Sequence, residues 1–436
     1  MMDLEQIRID ALAHGGEGIG TLATGKRVFV PETAPGDWVE IEVFERRARF
    51  DRGRVVRLLE AGPERVTPPC AHARACGGCQ LQHLSVAGQA AAKERIFYET
   101  LARLGGIARD AVPDARPIEL APAAFRYRIR CRLQAGPDGL GYFRRRTHER
   151  VAIESCLLLA PPLEALALRL GDRLRTTPIP HLAAVELCIG RDGRGAVALA
   201  PRPGAPSRWA QGAERLLEVE GVEGVVVLPA REGRPPRIFG DPVVAWGAPM
   251  APGISLLLRP DVFAQANAAA NERLVEAAVA ALAPAPGEEV LEFYAGAGNF
   301  TFALAHRGAR VTAVEVEGVA IDLARRAAGP LADRIDFVAA PAHRAVERFV
   351  REGRRFDAVL LDPPRTGAKE IVAGLLALRP RRIAYVSCDP ATLARDLRGL
   401  VDGGYHVRLA QPFDLFPQTY HLEGLVLLEA AAPGRS

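Results

Sequence analysis

Apolar side chains alternate with polar ones over the first sixty residues in four short runs, 6–12, 26–31, 38–44 and 53–59, separated by glycine or proline. A period of two marks half-buried β-strands. Several such strands in so short a segment predict a small barrel of oligonucleotide-binding type. Gly15-Gly16 and Gly18-Ile19-Gly20 are read as punctuation of its first turn. Residues 88–104 carry alanine and charge at helical spacing. Residues 105–260 are less regular and β-rich. Within them Tyr127, Ile129, Cys131 and Leu133 alternate with Arg126, Arg128, Arg130 and Arg132, which predicts a strand with one arginine face. From 261 onward, apolar strands at 289–294, 310–316, 335–338, 356–361, 382–387, 406–410 and 422–428 are mostly separated by helical segments. That βα repeat predicts a mostly parallel, doubly wound sheet, with ligands at the carboxyl ends of its strands. The expected division is 1–60 barrel, 61–104 cysteine loop and linking helix, 105–260 central β-rich domain, and 261–436 Rossmann-like domain.

Composition changes this picture little. The 436 residues are 49% hydrophobic and 25% charged, which is enough for large cores and excludes a disordered chain. No apolar run reaches about 18 residues, so no transmembrane helix is expected. The start, Met1-Met2-Asp3-Leu4-Glu5-Gln6, lacks the basic-then-apolar pattern of a leader. A cytoplasmic monomer with no membrane association is the expectation. Net charge is only +4, carried by 53 arginines against three lysines. Codon bias accounts for that ratio, so only local clusters count: Arg46, Arg47, Arg49, Arg52 and Arg54, the arginine face of 126–132, and Tyr142-Phe143-Arg144-Arg145-Arg146. Arginine interleaved with aromatics on β surfaces suits single-stranded RNA.

The seven cysteines are an odd number in a long chain expected to be cytosolic, which argues against a disulfide framework. Cys70, Cys76 and Cys79 fall within ten residues, and Cys156 is available later. Four thiolates suit zinc or an iron–sulfur cluster, and the irregular spacing is closer to a cubane cluster.

Three motifs carry chemistry. In Glu292-Phe293-Tyr294-Ala295-Gly296-Ala297-Gly298-Asn299-Phe300 a strand runs into a glycine turn, and the next strand ends at Glu315, 19 residues after Gly296. Glycine admits a close ligand, and the carboxylate can accept from ribose hydroxyls. The third glycine of a dinucleotide fingerprint is replaced by Thr301, which favours S-adenosylmethionine over NAD. Leu361-Asp362-Pro363-Pro364-Arg365 is a rigid loop that could hold the donor or a target base. Ser387-Cys388-Asp389-Pro390 puts a free thiol before a helix start, where thiol pKa values fall. Pro417-Gln418-Thr419-Tyr420-His421-Leu422-Glu423 leads a carboxylate into an apolar strand. Thiol plus carboxylate fits one reaction. A thiolate adds to carbon 6 of uracil, carbon 5 takes a methyl group, and a base removes the carbon-5 proton. Cys388 is the candidate nucleophile and Glu423 the candidate base. A base-amine methyltransferase working through Asp362 and a non-catalytic RNA-binding scaffold are the rivals.

On these residues the chain resembles the RNA uracil-5-methyltransferase family over nearly its whole length. The resemblance implies a TRAM domain at the amino terminus and a [4Fe-4S] cluster on Cys70, Cys76, Cys79 and Cys156. Phe263-Ala264-Gln265-Ala266-Asn267 resembles a donor-binding motif. Gln265, Tyr294, Gly296, Asn299, Glu315 and Asp362 are thereby implied as contacts to S-adenosylmethionine, with Cys388 as nucleophile and Glu423 as proton acceptor. Two departures stand out: Val338-Ala339-Ala340-Pro341-Ala342 lacks the acidic or amide residue frequent after the third strand, and Gln418 stands where histidine is common. Members with the cysteine loop act mostly on large-subunit ribosomal RNA, so 23S rRNA is the implied substrate, with transfer RNA as the alternative.

Overall fold

The computed structural model describes residues 4–231 and 233–431. Met1, Met2 and Asp3, part of the start read as lacking a leader, lie outside them. Among the described residues no helix is long and apolar enough to cross a membrane.

Five strands close a barrel in the order β1-β2-β3-β5-β4: β1 (Leu4–Leu12), β2 (Gly18–Thr21), β3 (Arg27–Val30), β4 (Trp38–Arg46) and β5 (Asp51–Glu60). Its core is small, formed by alternate residues such as Ile7, Ile9, Val28, Val30, Val39 and Ile41. Residues 18–20, expected as a turn, form β2. A Cβ on Gly18 would stand 2.0 Å from Thr33 Oγ1, and one on Gly20 would stand 2.8 Å from Ile7 Cδ1. Glycine is there so that the barrel wall can close, not to bend the chain.

The cysteine loop leads to α1 (Val86–Thr100), whose first turn is capped by Ser85 Oγ accepting from Gly88 N. Two short strands, β6 (Asp114–Ala115) and β7 (Glu119–Leu120), follow. The central region builds a seven-stranded sheet from β8 (Arg130–Gly136), β9 (Gly139–Phe143), β10 (Arg150–Ala152), β11 (Leu182–Ile189), β12 (Gly195–Pro201), β13 (Val222–Val227) and β14 (Arg237–Gly240), backed by α2 (Pro161–Thr176), with a separate hairpin of β15 (Val244–Gly247) and β16 (Ser255–Leu258).

The last region begins with α3 (Ala268–Leu282) and alternates β17 (Glu289–Phe293), α4 (Thr301–His306), β18 (Arg310–Glu315), α5 (Gly318–Ala327), β19 (Ile335–Ala339), α6 (Ala342–Arg351), β20 (Ala358–Leu361), α7 (Val372–Leu378), β21 (Arg382–Ser387), α8 (Pro390–Asp402), β22 (Tyr405–Asp414) and β23 (Glu423–Ala430). Its sheet runs β19-β18-β17-β20-β21-β23-β22-β6, parallel except that β23 is antiparallel to both neighbours. This is the doubly wound α/β class expected, with the barrel at its amino end. The boundaries interlock in a way the sequence did not announce. β6 and β7 pair in parallel with β22. Phe97, Tyr98 and Leu101 share a buried cluster with Leu291, Phe293 and Tyr385 of this sheet. The linking helix and the segment after it therefore pack as part of the last region.

Candidate active site

The glycine turn after β17 has a left-handed backbone at three positions, two of them glycines and one the strained Tyr294. Tyr294, Gly296 and Gly298 have φ of 63°, 55° and 99°. A Cβ at Gly296 would meet nothing within 4 Å, so the turn faces open space there. Glu315, at the end of β18, closes the other side. Its Oε2 accepts from Gly296 N at 2.9 Å, and its Oε1 accepts from Val316 N and Glu317 N at 2.7 and 2.8 Å. Asn299 exchanges two amide hydrogen bonds with Asn271 of α3, at 2.7 and 2.9 Å. Gln265 lines a small crevice with Ala264, Ala268 and Asn271. These residues thus gather on one side of the sheet edge.

Glu292 was not singled out in the sequence. It is fully buried at the end of β17, with Oε2 accepting from Thr301 Oγ1 at 2.6 Å and Oε1 without a partner. Burial pushes its carboxyl up to about 8. The signal available was a carboxylate inside an otherwise apolar strand.

The reacting pair follows from strand register. Ser387 is paired with Gly424 across the antiparallel β21 and β23. The next step along both chains puts Cys388, just past the carboxyl end of β21, beside Glu423 at the head of β23. An antiparallel last strand thus delivers its first residue to the edge where its neighbours end. Glu423 is buried and its Oε2 has no partner. Burial first, then the charge of Asp362, raises it well above the usual carboxylate range, while Arg365 opposes the rise. Burial alone lifts Asp362, just past the end of β20, to about 7. His421 sits 3.2 Å from an Arg365 guanidinium nitrogen and is kept neutral, its pKa lowered to about 3 by burial and then by Arg365.

One expectation is corrected. Cys388 precedes α8, yet its thiol is not lowered. Burial, then Glu423 and Asp362, push it up to about 12. The helix N-terminus is occupied by Asp389, whose Oδ1 accepts from Ala391 N and Thr392 N at 3.0 and 2.9 Å. The free amide groups that would have favoured a thiolate are already satisfied by a carboxylate.

Cys70, Cys76, Cys79 and Cys156 line one cavity of about 220 Å³ with Arg128, Tyr142 and Gln82. Burial raises the thiols of Cys76, Cys79 and Cys156, and charges on the neighbouring cysteines add to it. Among the described residues no three His, Cys, Asp or Glu side chains are set to hold a single metal ion.

The arginine surfaces differ from expectation. The alternation over 127–133 is real, since Tyr127, Ile129, Cys131 and Leu133 are buried. Its arginines, however, are committed internally: Arg126 to Glu164, Arg132 to Glu186, and Arg130 to the carbonyls of Val262, Ala264 and Pro260. Arg128 lies over the ring of Phe416, 5.5 Å from its centroid. In the barrel, Arg46, Arg47, Arg52 and Arg54 pair with Asp51, Glu45, Glu17 and Glu42, and Arg146 also reaches Glu17.

Comparison with known proteins adds to this geometry. A family model described as tRNA (Uracil-5-)-methyltransferase matches residues 257–431, and a TRAM domain model matches residues 5–56. The 23S rRNA (uracil(1939)-C(5))-methyltransferase RlmD of Pseudomonas putida is 36% identical over 98% of this chain and 94% of its own length. The protein of the same name from Halomonas elongata is 37% identical over 97% of this chain and 89% of its own. Among solved structures, the tRNA (uracil-54, C5)-methyltransferase of Pyrococcus abyssi, in complex with S-adenosyl-L-homocysteine, matches with a TM-score of 0.74 at 25% identity, covering 97% of this chain and 99% of the other.

Proposed function

The chain belongs to the family of RNA uracil-C5 methyltransferases, and from that premise we propose that it methylates a uridine of 23S ribosomal RNA through a covalent Cys388 adduct. S-adenosylmethionine supplies the methyl group. Gln265, Tyr294, Gly296, Asn299, Glu315 and Asp362 would hold it along the edge described above, with Glu315 turned toward the ribose. The observation that carries the reading is the β21–β23 register, which sets a thiol beside a buried carboxylate that has an unpartnered oxygen.

Cys388 Sγ bonds carbon 6 of the uracil, and the ring electrons move toward O4. Carbon 5 then takes the methyl group, whose bonding pair stays on the departing sulfur. The Glu423 carboxylate takes the carbon-5 proton, the ring double bond re-forms, and the thiolate leaves. The target base must leave its stack to reach this edge. Both reacting groups resist ionisation where burial surrounds them. Arg365, the cation that lowers both, is placed to favour their charged forms.

The ribosomal substrate is supported by the names of the relatives at 36–37% identity, against a tRNA name for the match at 25%. The reading places the enzyme in the cytoplasm as a monomer. Residues 1–60 would grip RNA, 61–104 and 105–260 would support the cluster, and 261–436 would carry the chemistry. Cys70, Cys76, Cys79 and Cys156 would hold a [4Fe-4S] cluster. Four thiols around one cavity, none grouped for a single ion, suit a cluster whose iron corners are spread apart. The cluster would have a structural role or aid RNA binding.

The test is trapping. With 5-fluorouridine RNA the protein forms an adduct that survives denaturing gels, and anaerobically purified protein carries about four iron per chain. Cys388→Ala forms no adduct and loses methyl transfer by about 10⁴-fold or more. Methylation by that variant would overturn the mechanism in favour of base-amine transfer.

A further inference from the structure

Four consecutive backbone carbonyls between β22 and β23 are each captured by a different part of the chain. Leu415 O accepts from Asn267 Nδ2 at 2.8 Å, and Phe416 O from Lys93 Nζ of α1 at 3.2 Å. Pro417 O accepts from the hydroxyl of Tyr127 in the central region at 2.9 Å. Gln418 O accepts from both Gln80 N and Leu81 N, directly after Cys79, at 3.0 Å each. Gln418 itself is buried, with φ of 71°. It is locked to Gln89 of α1 by two reciprocal bonds: Gln418 N donates to Gln89 Oε1 at 2.8 Å, and Gln89 Nε2 donates to Gln418 Oε1 at 3.0 Å. Five residues later the chain reaches Glu423.

A left-handed backbone at a non-glycine residue is strained and persists only where its surroundings hold it. The surroundings here are the cysteine loop and α1. Releasing Gln418 would let the 415–422 segment relax and move the head of β23, where a carboxylate has to meet a proton on a substrate carbon. An error of about 1 Å in such a placement can cost about 10²-fold in rate.

We propose that Gln418 and Gln89 are positioning residues for Glu423, through which the cysteine loop governs proton removal rather than RNA affinity. The inference rests on the reading of Glu423 as the general base. It also assigns work to the position where this chain departs from the histidine common in its family: the Gln418 side chain supplies the acceptor for Gln89 Nε2, while the Gln89 amide both donates and accepts.

The experiment compares Gln89→Ala, Gln89→Glu and Glu423→Gln with the unaltered enzyme on ordinary uridine RNA. Gln89→Ala should lower kcat about tenfold or more, leave KM for RNA within about twofold, and accumulate a methylated enzyme–RNA adduct, because elimination waits on the base. Gln89→Glu keeps the acceptor for Gln418 N–H and should restore part of the rate. Should Gln89→Ala fail to fold, Gln80→Ala, which removes the 3.4 Å acceptor of Tyr420 N, is read the same way. A raised KM with kcat intact, or a lower kcat with no adduct while Glu423→Gln does accumulate one, overturns the coupling. Absence of adduct in Glu423→Gln itself overturns the general-base reading instead.

Discussion

The barrel and the carboxyl edge of the catalytic sheet treat charge in opposite ways. In the barrel, arginines such as Arg46, Arg52 and Arg54 are each paired with a carboxylate, the buried Asp51 included. At the edge, among the described residues, lie all three buried side-chain oxygens without a partner: Glu292 Oε1, Tyr294 hydroxyl and Glu423 Oε2. Exposed charge that satisfies itself adds little to stability. Sparse charge held without a partner costs stability, and it persists where a substrate completes it. The density of arginine along the chain was therefore the weaker guide to the working surface, and a few isolated carboxylates in apolar strands were the stronger one.

This contrast can be broken at either end. The largest effect is expected at Arg365. Its charge favours the ionised forms of Cys388 and Glu423, so its removal raises both pKa values further. Arg365→Ala should lower kcat/KM near neutral pH by about 10- to 100-fold and move the pH–rate profile to higher pH, with partial recovery in alkali. A profile that stays in place would remove the edge's distinctive electrostatics. A smaller effect is expected at Glu292. Its carboxyl is raised to about 8 in the folded protein. The native state therefore holds a proton that the unfolded chain gives up, and the stability this confers is full below the usual carboxylate range and lost as pH rises through about 8. Glu292→Gln should flatten that loss, so that Tm at pH 9 relative to pH 5 rises by a few °C, about 2–4 °C for a chain of this size. An unchanged slope would mean that the orphaned oxygen carries no cost. The smallest effect is expected at the barrel surface. Arg54→Ala, which removes the pair with Glu42, should change stability by less than about 0.5 kcal/mol and RNA Kd by no more than about twofold. A tenfold loss of affinity would show that the pairing opens to meet phosphate, and the two regions would be less different than they look.

Much of the catalytic sheet was legible because its strands are continuous apolar runs separated by helical periods, and strand ends place loop motifs without further information. The candidate residues stood out for the same reason: Cys388 and Glu423 each interrupt or end an apolar run. What the sequence hid depends on partners far away. Gly18 and Gly20 read as a turn because Thr33 and Ile7, which fill the space beside them, are not their neighbours in sequence. The arginines of 126–132 read as a free face because Glu164, Glu186 and the 260–264 carbonyls lie up to 134 residues away. β6 pairs only two residues with β22, too short a ladder to leave a periodic trace. The raised thiol of Cys388 depends on Glu423 and Asp362 meeting at one edge and on Asp389 turning back to cap its own helix, neither of which follows from the position of a cysteine before a proline.

The clasp around residues 415–418 also has a bearing on how the polypeptide assembles. Gln89 and Gln418 are 329 positions apart, and Lys93 and Asp414 are 321 apart. During synthesis the linking helix emerges long before the strands that bury its lysine exist. Loop closure over such a span makes this seam a late event in folding. The barrel closes within its own sixty residues, but α1 has to wait for the carboxyl-terminal hairpin before its lysine meets Asp414 and the two ends of the chain are joined.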